Sequence, residues 1–445
     1  MSVQYDFLII GEDEASLCAA ACAARAGARA ALLRPNRQKK QNAPAASPAI
    51  PNFVWRRLEL QDYDLTLEPI SAHVTLFKDG SSMVTYAGSK ETGQALAERN
   101  IDDHLVWDDF IDEVSSLAEE NLSTLPFARA NPANGKVLAS FLSDATALDR
   151  TARLFGSCAD LIDDYLSSQT LKTHISAHAL AAAGSSDLET GSASAVSEFF
   201  DEHSWRLRTP KDAASLRAVL EKVCQDAGVD IHSGKITEIA SEGENYVLVM
   251  LGAEEELKTR TIFFSTPDAA WQAGAHGSVL NSTSGGAHAS VTVRFKLSDR
   301  IPPAAADDKA IFQIVDDIDD VRDARAAAVK GKLFDKTPVE FEYTANGEII
   351  ARTNYFPAAF YEDGAWRGWT GQDRQAAAAI VKSRLISRMP DLASQIRRAE
   401  AEVITPTTKP GLFDDCDKVV IQMRRHNSIA AAVKLIDEIM ARDAK

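Results

Sequence analysis

The chain opens on an unbroken apolar run, YDFLII at 5–10, which suits a short strand buried on both faces of a parallel sheet, and Gly11 ends it. Glu14 to Ala26 is alanine-rich and free of breakers, so it predicts a helix, with Gly27 as its C-cap. Ala28 to Leu33 (ARAALL) predicts a second strand. Strand, helix and strand make one βαβ unit, the start of a Rossmann-type sheet. Alternation at 72–87 (AHVTLFKDGSSMVTYA), broken at Asp79-Gly80, predicts a β-hairpin. Helical periodicity follows from 90 to 182, interrupted around Pro126 and Pro132. Leu216 to Ala227 predicts an amphipathic helix closed by Gly228. A strand (VDIHSG), a hairpin turning near Glu242-Gly243 and another strand (TRTIFFST) follow it. Alternating stretches at 287–298 and 337–356, the latter around Asn346-Gly347, predict strands of a second, mixed sheet. Gln372 to Met389 and Ser428 to Ala441 predict late helices, with a strand, KVVIQ at 418–422, before the last one.

These elements predict an α/β protein: a Rossmann-type FAD/NAD(P)-binding fold with a second mixed-sheet α+β domain of substrate type. The expected division is discontinuous. Residues 1–88, 205–275 and 403–445 make the nucleotide-binding-like domain, 89–204 a helical part, and 276–402 the mixed-sheet domain. A length of 445 residues agrees with two joined domains rather than one core. A formal net charge of −16 opposes nucleic-acid phosphates and anionic lipid head groups, so neither is an expected partner. The five cysteines (Cys18, Cys22, Cys158, Cys224 and Cys416) form no CxxC pair and suit reduced thiols in a cytoplasmic protein. No signal-peptide pattern is visible, and the most apolar window, Leu17 to Leu33, is interrupted by Arg25 and Arg29, so no transmembrane segment is expected. The polar stretch 35–52, with Arg37, Lys39 and Lys40, reads as a solvated loop or as a contact for an acidic partner.

The first turn carries the candidate chemistry. A dinucleotide seat needs G-x-G-x-x-G: one glycine for the tight turn, one for backbone approach to the pyrophosphate and one for close helix–strand contact. Here the stretch is Gly11-Glu12-Asp13-Glu14-Ala15-Ser16. Gly11 survives, Asp13 takes the second glycine position and Ser16 the third. Three consecutive carboxylates therefore crowd a helix end that would otherwise attract phosphate. Two such charges about 4 Å apart repel by about 4 kcal/mol at an effective dielectric near 20. Either the acids cap the helix themselves, or a phosphate is held through a metal or in some other way. The ribose acceptor expected at the end of the second strand falls on Arg34, which cannot accept a hydrogen bond. Arg34 is either a surface residue or a partner for a 2′-phosphate.

Over nearly its whole length the chain resembles the phytoene-desaturase-like FAD oxidoreductases, most closely the pyridine nucleotide-disulfide oxidoreductase domain-containing protein 2 group. The likeness lies in YDFLIIG…AAACAARAGARAALL, in the hairpin and helices of HVTLFKDGSSMVTYAGSKETGQALAERNIDDHLVWDDFIDEV, and in SLRAVLEKVCQDAGVDIHSGKITEI. It continues through FFSTPDAAW, FQIVDDIDDVRDARAAAVKGKLFDKTPVEFEY and AEVITP in the same order. The resemblance implies a two-domain flavoprotein that desaturates, isomerises or oxidises a hydrophobic substrate. It also implies glycines that are missing here. The family's E-x-x-x-x-x-G-G after the second strand is replaced by RPNRQKKQNAPAASP. Its glycine-rich C-terminal loop is replaced by a short connection through Met423, Arg424, Arg425 and His426. Arg424 and Arg425 either pair with the acidic turn at 12–14 or bind an anion.

The expectation is therefore a catalytically degenerate homologue of these flavin oxidoreductases, a non-catalytic binding or structural subunit. Its eroded site is marked by Gly11, Asp13, Ser16 and Arg34, with no catalytic residue and no cofactor. Its partner would be itself, as a homo-oligomer, or a flavoenzyme relative. One alternative is an active FAD-dependent desaturase or dehydrogenase of a hydrophobic substrate, with atypical flavin binding. Another is a carrier for a lipid or isoprenoid. His174 and His178 lie at metal-pair spacing on a predicted helix but lack the glutamate of HExxH and a nearby third ligand, so they read as ordinary helix residues. Cys18 and Cys22 read as small residues that let the first helix lie close to the sheet. Gly285-Gly286 reads as a loop. An aromatic stretch (Tyr355, Phe356, Phe360, Tyr361, Trp366 and Trp369) suits core, pocket lining or interface.

Overall fold

In the computed structural model the described residues are 4–11, 13–35, 50, 52–63, 65, 68–86, 88–124, 152–154, 156–181, 184–200, 207–208, 213–234, 236–242, 246–252, 255–264, 288–298, 309–344, 347–404, 419–421, 433, 436 and 440. The chain begins with β1 (Gln4–Ile10), α1 (Glu14–Arg25) and β2 (Ala30–Pro35). β1 and β2 are parallel, with Phe7 opposite Ala30 and Ile10 opposite Leu33. α1 buries Ala19, Ala20, Ala21 and Ala23 together with Cys18 and Cys22. Side chains this small let the helix axis lie close to the strands. Gly27, at φ 94°, ends the helix in the left-handed region that favours glycine.

A short helix α2 (Asn52–Arg57) and a two-residue strand β3 (Glu68–Pro69) lead into β4 (Ala72–Leu76) and β5 (Ser82–Tyr86). The hairpin turns at Asp79-Gly80, where the Asp79 carboxylate accepts from the Ser81 amide at 2.9 Å. A helical layer follows: α3 (Ser89–Glu98), α4 (Trp107–Thr124), α5 (Cys158–Asp163), α6 (Gln169–Ala181) and α7 (Ala193–Phe200). Its core is apolar and aromatic, built on Trp107, Phe110, Leu171, Ile175, Phe199 and Phe200. Pro126 and Pro132 lie outside the described residues.

The chain then returns to the first sheet. β6 (Leu207–Arg208) pairs with β3, and α8 (Ala213–Asp226) lies against α1. β7 (Asp230–Gly234), β8 (Ile236–Glu242), β9 (Tyr246–Leu251) and β10 (Glu255–Phe264) follow. The sheet runs β7-β2-β1-β10-β9-β8. β7, β2, β1 and β10 are parallel, and β9 and β8 are antiparallel additions. α8 ends at Gly228, φ 79°, as the amphipathic pattern predicts.

The second sheet takes β11 (His288–Leu297), β12 (Ile311–Ile314), β13 (Val339–Tyr343) and β14 (Ile349–Pro357), with α9 (Ile318–Val329) between β12 and β13. A small hairpin of β15 (Phe360–Glu362) and β16 (Ala365–Arg367) precedes α10 (Gly371–Arg388), the one-turn α11 (Leu392–Gln395) and β17 (Ile396–Ile404). The order is β17-β11-β14-β13-β12-β4-β5, mixed because β12 runs parallel to β4. The 72–86 hairpin thus belongs to the second sheet, a correction to its expected place in the first domain. The physical reason is that both of its faces are apolar enough to need cover. Ala72, Val74 and Val84 enter one core with Phe312 and Phe341, and Met83 enters the helical core on the other side. A last strand, β18 (Val419–Ile421), returns to the first sheet parallel to β10. Of the predicted final helix only Val433, Ile436 and Met440 are described, and they are helical.

Candidate functional site

Open α/β sheets bind ligands beyond the carboxyl ends of their parallel strands. In this chain that place is the corner formed by the ends of β1 and β2 and the start of α1. Gly11 closes β1, its amide donating to Leu33 O at 3.1 Å. Glu12 lies outside the described residues. Asp13 is the N-cap of α1, in extended backbone at φ −81° and ψ 170°. Its Oδ1 accepts from the Ser16 amide at 2.7 Å and from Ser16 Oγ at 2.8 Å. An N-terminal amide that would otherwise face a phosphate is thus satisfied by the chain's own carboxylate. The charge of Asp13 also complements the positive end of the helix dipole. Ser16 is fully buried, so the third glycine position is filled by a side chain that bonds back to the cap.

Glu14 is buried beside this cap, and burial, followed by the charge of Asp13, holds its carboxyl above the usual carboxylate range. Arg217 on α8 pulls weakly the other way. At the end of β2, Arg34 Nη2 stands 3.0 Å from Glu221 Oε1, also on α8. That contact is an ion pair by distance but not by angle, because Arg34 Nε and Nη2 make no well-directed hydrogen bond. Glu221 accepts in addition from Arg217 Nε at 3.2 Å.

The structure therefore brings Gly11, Asp13 and Ser16 into one turn and ties Arg34 to α8. A flavin dinucleotide requires a free anion seat on α1, a hydrogen-bond acceptor for the ribose and bare backbone at the second glycine position. The seat carries the Asp13 carboxylate, the acceptor position carries an ion-paired guanidinium, and position 13 carries a side chain. The described residues of this corner do not fit the diphosphate. The loop beyond Pro35, Gly285-Gly286 and the connection holding Met423, Arg424, Arg425 and His426 lie outside the described residues.

Two further polar clusters escaped the sequence reading because their members lie far apart along the chain. At the amino ends of the first sheet's strands, Tyr5 Oη donates to Asp230 Oδ2 at 3.0 Å and lies 3.0 Å from His232 Nε2. His232 Nδ1 lies 2.8 Å from Glu255 Oε1. Burial, then Asp230, pushes the Tyr5 phenol up to about 12, so it stays protonated at neutral pH and serves as a clip rather than a base. The second cluster sits where β4 and β5 meet α6. His174 Nδ1 lies 2.7 Å from Thr75 Oγ1 and its Nε2 2.9 Å from Thr85 Oγ1. The His174 and His178 rings meet edge to face at 4.8 Å, and His73 of β4 meets His178 at 5.0 Å. A third histidine thus stands beside the predicted pair. Among the described residues, however, no group of three or more His, Cys, Asp or Glu is arranged to hold a metal ion.

The aromatic stretch divides. Tyr355, Phe356 and Phe360 are buried, Trp369 is half-buried and caps Phe360 at 5.1 Å, and Tyr361 and Trp366 are exposed. Among the described residues no helix is long and apolar enough to cross a membrane.

No family model and no curated protein matches the chain. Solved structures do match. Wild-type putrescine oxidase bound to putrescine is similar with a TM-score of 0.52 at 11% identity, covering 100% of this chain and 99% of that one. A Rab GDI from Plasmodium falciparum is similar with a TM-score of 0.53 at 10% identity, covering 99% of each chain. Identities this low speak to fold and not to chemistry. The chain has the fold of the FAD-dependent oxidoreductases, a Rossmann-type sheet joined to a second, mixed-sheet domain.

Proposed function

We propose that this chain is a flavoprotein-fold protein that has given up redox catalysis and acts as a binding or structural subunit. The observation that carries the reading is the self-capping of α1, in which Asp13 takes the Ser16 amide and hydroxyl where a diphosphate would dock. Arg34, turned to Glu221, supports it, since a cation held there offers no acceptor to a ribose. The Rab GDI match adds that the fold occurs in a protein whose name is not that of an oxidase.

A second reading is an FAD-dependent oxidoreductase acting on a hydrophobic substrate, with the flavin seated in an atypical way. The likeness to putrescine oxidase backs this reading more directly than the first. One experiment separates them. The chain is purified without added flavin and heat-denatured, and the supernatant is assayed for flavin fluorescence. The first reading expects only traces. Flavin released in a one-to-one ratio with the chain would overturn it and establish the second.

A further inference from the structure

The β15–β16 hairpin is tied down by hydrogen bonds yet keeps Tyr361 and Trp366 in solvent. Its register sets Phe360 opposite Arg367 and Tyr361 opposite Trp366. Strand alternation sends the first pair inward and the second outward. On the inner side Arg367 lies 4.6 Å from the Phe360 ring centroid. Its guanidinium also donates to Glu362 at 2.6 and 2.7 Å and to Asp373, in the first turn of α10, at 2.6 and 3.0 Å. The hairpin rests on the turn that ends α9. A β-carbon on Gly331 would sit 2.5 Å from Tyr361 N and 2.8 Å from Trp366 Cζ3, so only glycine lets the indole lie so close.

On the outer side Trp366 is 59% exposed, Tyr361 47% and Val329 51%. The Tyr361 and Trp366 rings are paired at 5.2 Å. Aromatic pairs that are rigid before binding are the kind of anchor that dominates interface energies. Charge around them is divided. The hairpin tip carries Asp363, at φ 52° in the turn with Gly364. The base carries Lys330 and Lys332, both exposed on either side of Gly331. No ion pair to Asp363, Lys330 or Lys332 occurs among the described residues.

We infer that this hairpin is the contact through which a second copy of the chain docks in a two-fold dimer. In an isologous contact each residue of the patch meets another residue of the same patch. In the proposed contact a two-fold axis at the Tyr361–Trp366 pair would set the acidic tip of each copy against the lysine base of the other and cover both aromatic pairs. One patch thus supplies both halves of its own charge complement. An anionic membrane is disfavoured as the occupant by the tip carboxylate and by the net charge of −16. The dimer stands independently of the redox reading, since a subunit and an oxidase would both keep it.

Sedimentation velocity of the full chain over about 1–100 μM tests it, a range that brackets a contact of micromolar strength. The wild type is expected to shift from monomer to dimer. Trp366→Asp should weaken association at least about tenfold with an unchanged circular dichroism spectrum. Lys330→Glu with Lys332→Glu should weaken it as well, and adding Asp363→Lys to that pair should restore it. The charge variants keep the test open should Trp366→Asp fold poorly. A wild type that stays monomeric throughout, or a dimer indifferent to the lysine reversal, overturns the inference.

Discussion

The corner at the start of α1 and the seam where β4 and β5 meet α6 handle polar groups in opposite ways. In the corner, charges are plentiful and answered nearby: Asp13 by Ser16, Arg34 and Arg217 by Glu221. In the seam, charge is excluded. His174 is completely buried, and burial holds its imidazole well below the usual histidine range, so the ring stays neutral between two threonine hydroxyls. Past the end of α6, Gly184, at φ 59°, brings the chain so close to β14 that an added β-carbon would lie 2.3 Å from Asn354 O. The seam binds the second sheet to the helical layer and tolerates little change. The corner keeps the location of a ligand site, but among its described residues the helix end is taken by the Asp13 cap.

The largest expected effect of any substitution falls just past the end of α6, where the chain crosses β14. Gly184→Ala meets both a left-handed backbone and a carbonyl oxygen, and should cost about 3 kcal/mol or more in urea unfolding. A loss below about 1 kcal/mol would show that the two layers slide apart easily and would blur the contrast with the corner. Acid should come next. The unfolded chain protonates His174 near its ordinary value of 6.5 while the folded chain resists. Its contribution is therefore present above that pH and lost as pH falls, with a slope approaching about 1.4 kcal/mol per pH unit. His174→Gln should flatten that part of the stability profile, and an unchanged slope would assign the acid lability to other groups.

Changes in the corner should be smaller. Asp13→Ala removes a cap and should cost about 1 kcal/mol, whereas Asp13→Gly should cost only a few tenths. Equal losses in the two variants would mean that Asp13 does more than cap. The smallest effect is expected at Glu14. Because burial raises its carboxyl, the fold takes up that proton more readily than the unfolded chain. Its contribution is greatest below its ordinary value of 4.5 and is lost as pH rises through the folded value. Glu14→Gln should therefore raise the melting temperature at neutral pH, with the gain shrinking as pH approaches 4.5. A variant that melts lower at neutral pH would show that the charge is wanted there.

Local signals were legible and long-range ones were not. The opening βαβ unit, the turn at Asp79-Gly80 and the end of α8 at Gly228 follow from residues adjacent to them in sequence. The capping role of Asp13 was legible for the same reason, since a cap bonds within its own turn. The partner of Arg34 was not, because Glu221 belongs to a helix that returns much later in the chain. The β4–β5 hairpin was expected in the first domain, because nothing local reveals its parallel pairing with β12. His73 beside His178, and Tyr5 beside Asp230 and His232, were hidden by the same distance along the chain. The β15–β16 hairpin was not legible, since three-residue strands are too short to display alternation.

The central claim is that the amino end of α1 is already occupied by Asp13. Calorimetric titration of FAD into the purified chain tests it most directly. The account predicts no saturable heat up to about 1 mM, an affinity too weak to hold a cofactor. Saturation at one equivalent with a micromolar dissociation constant would contradict it.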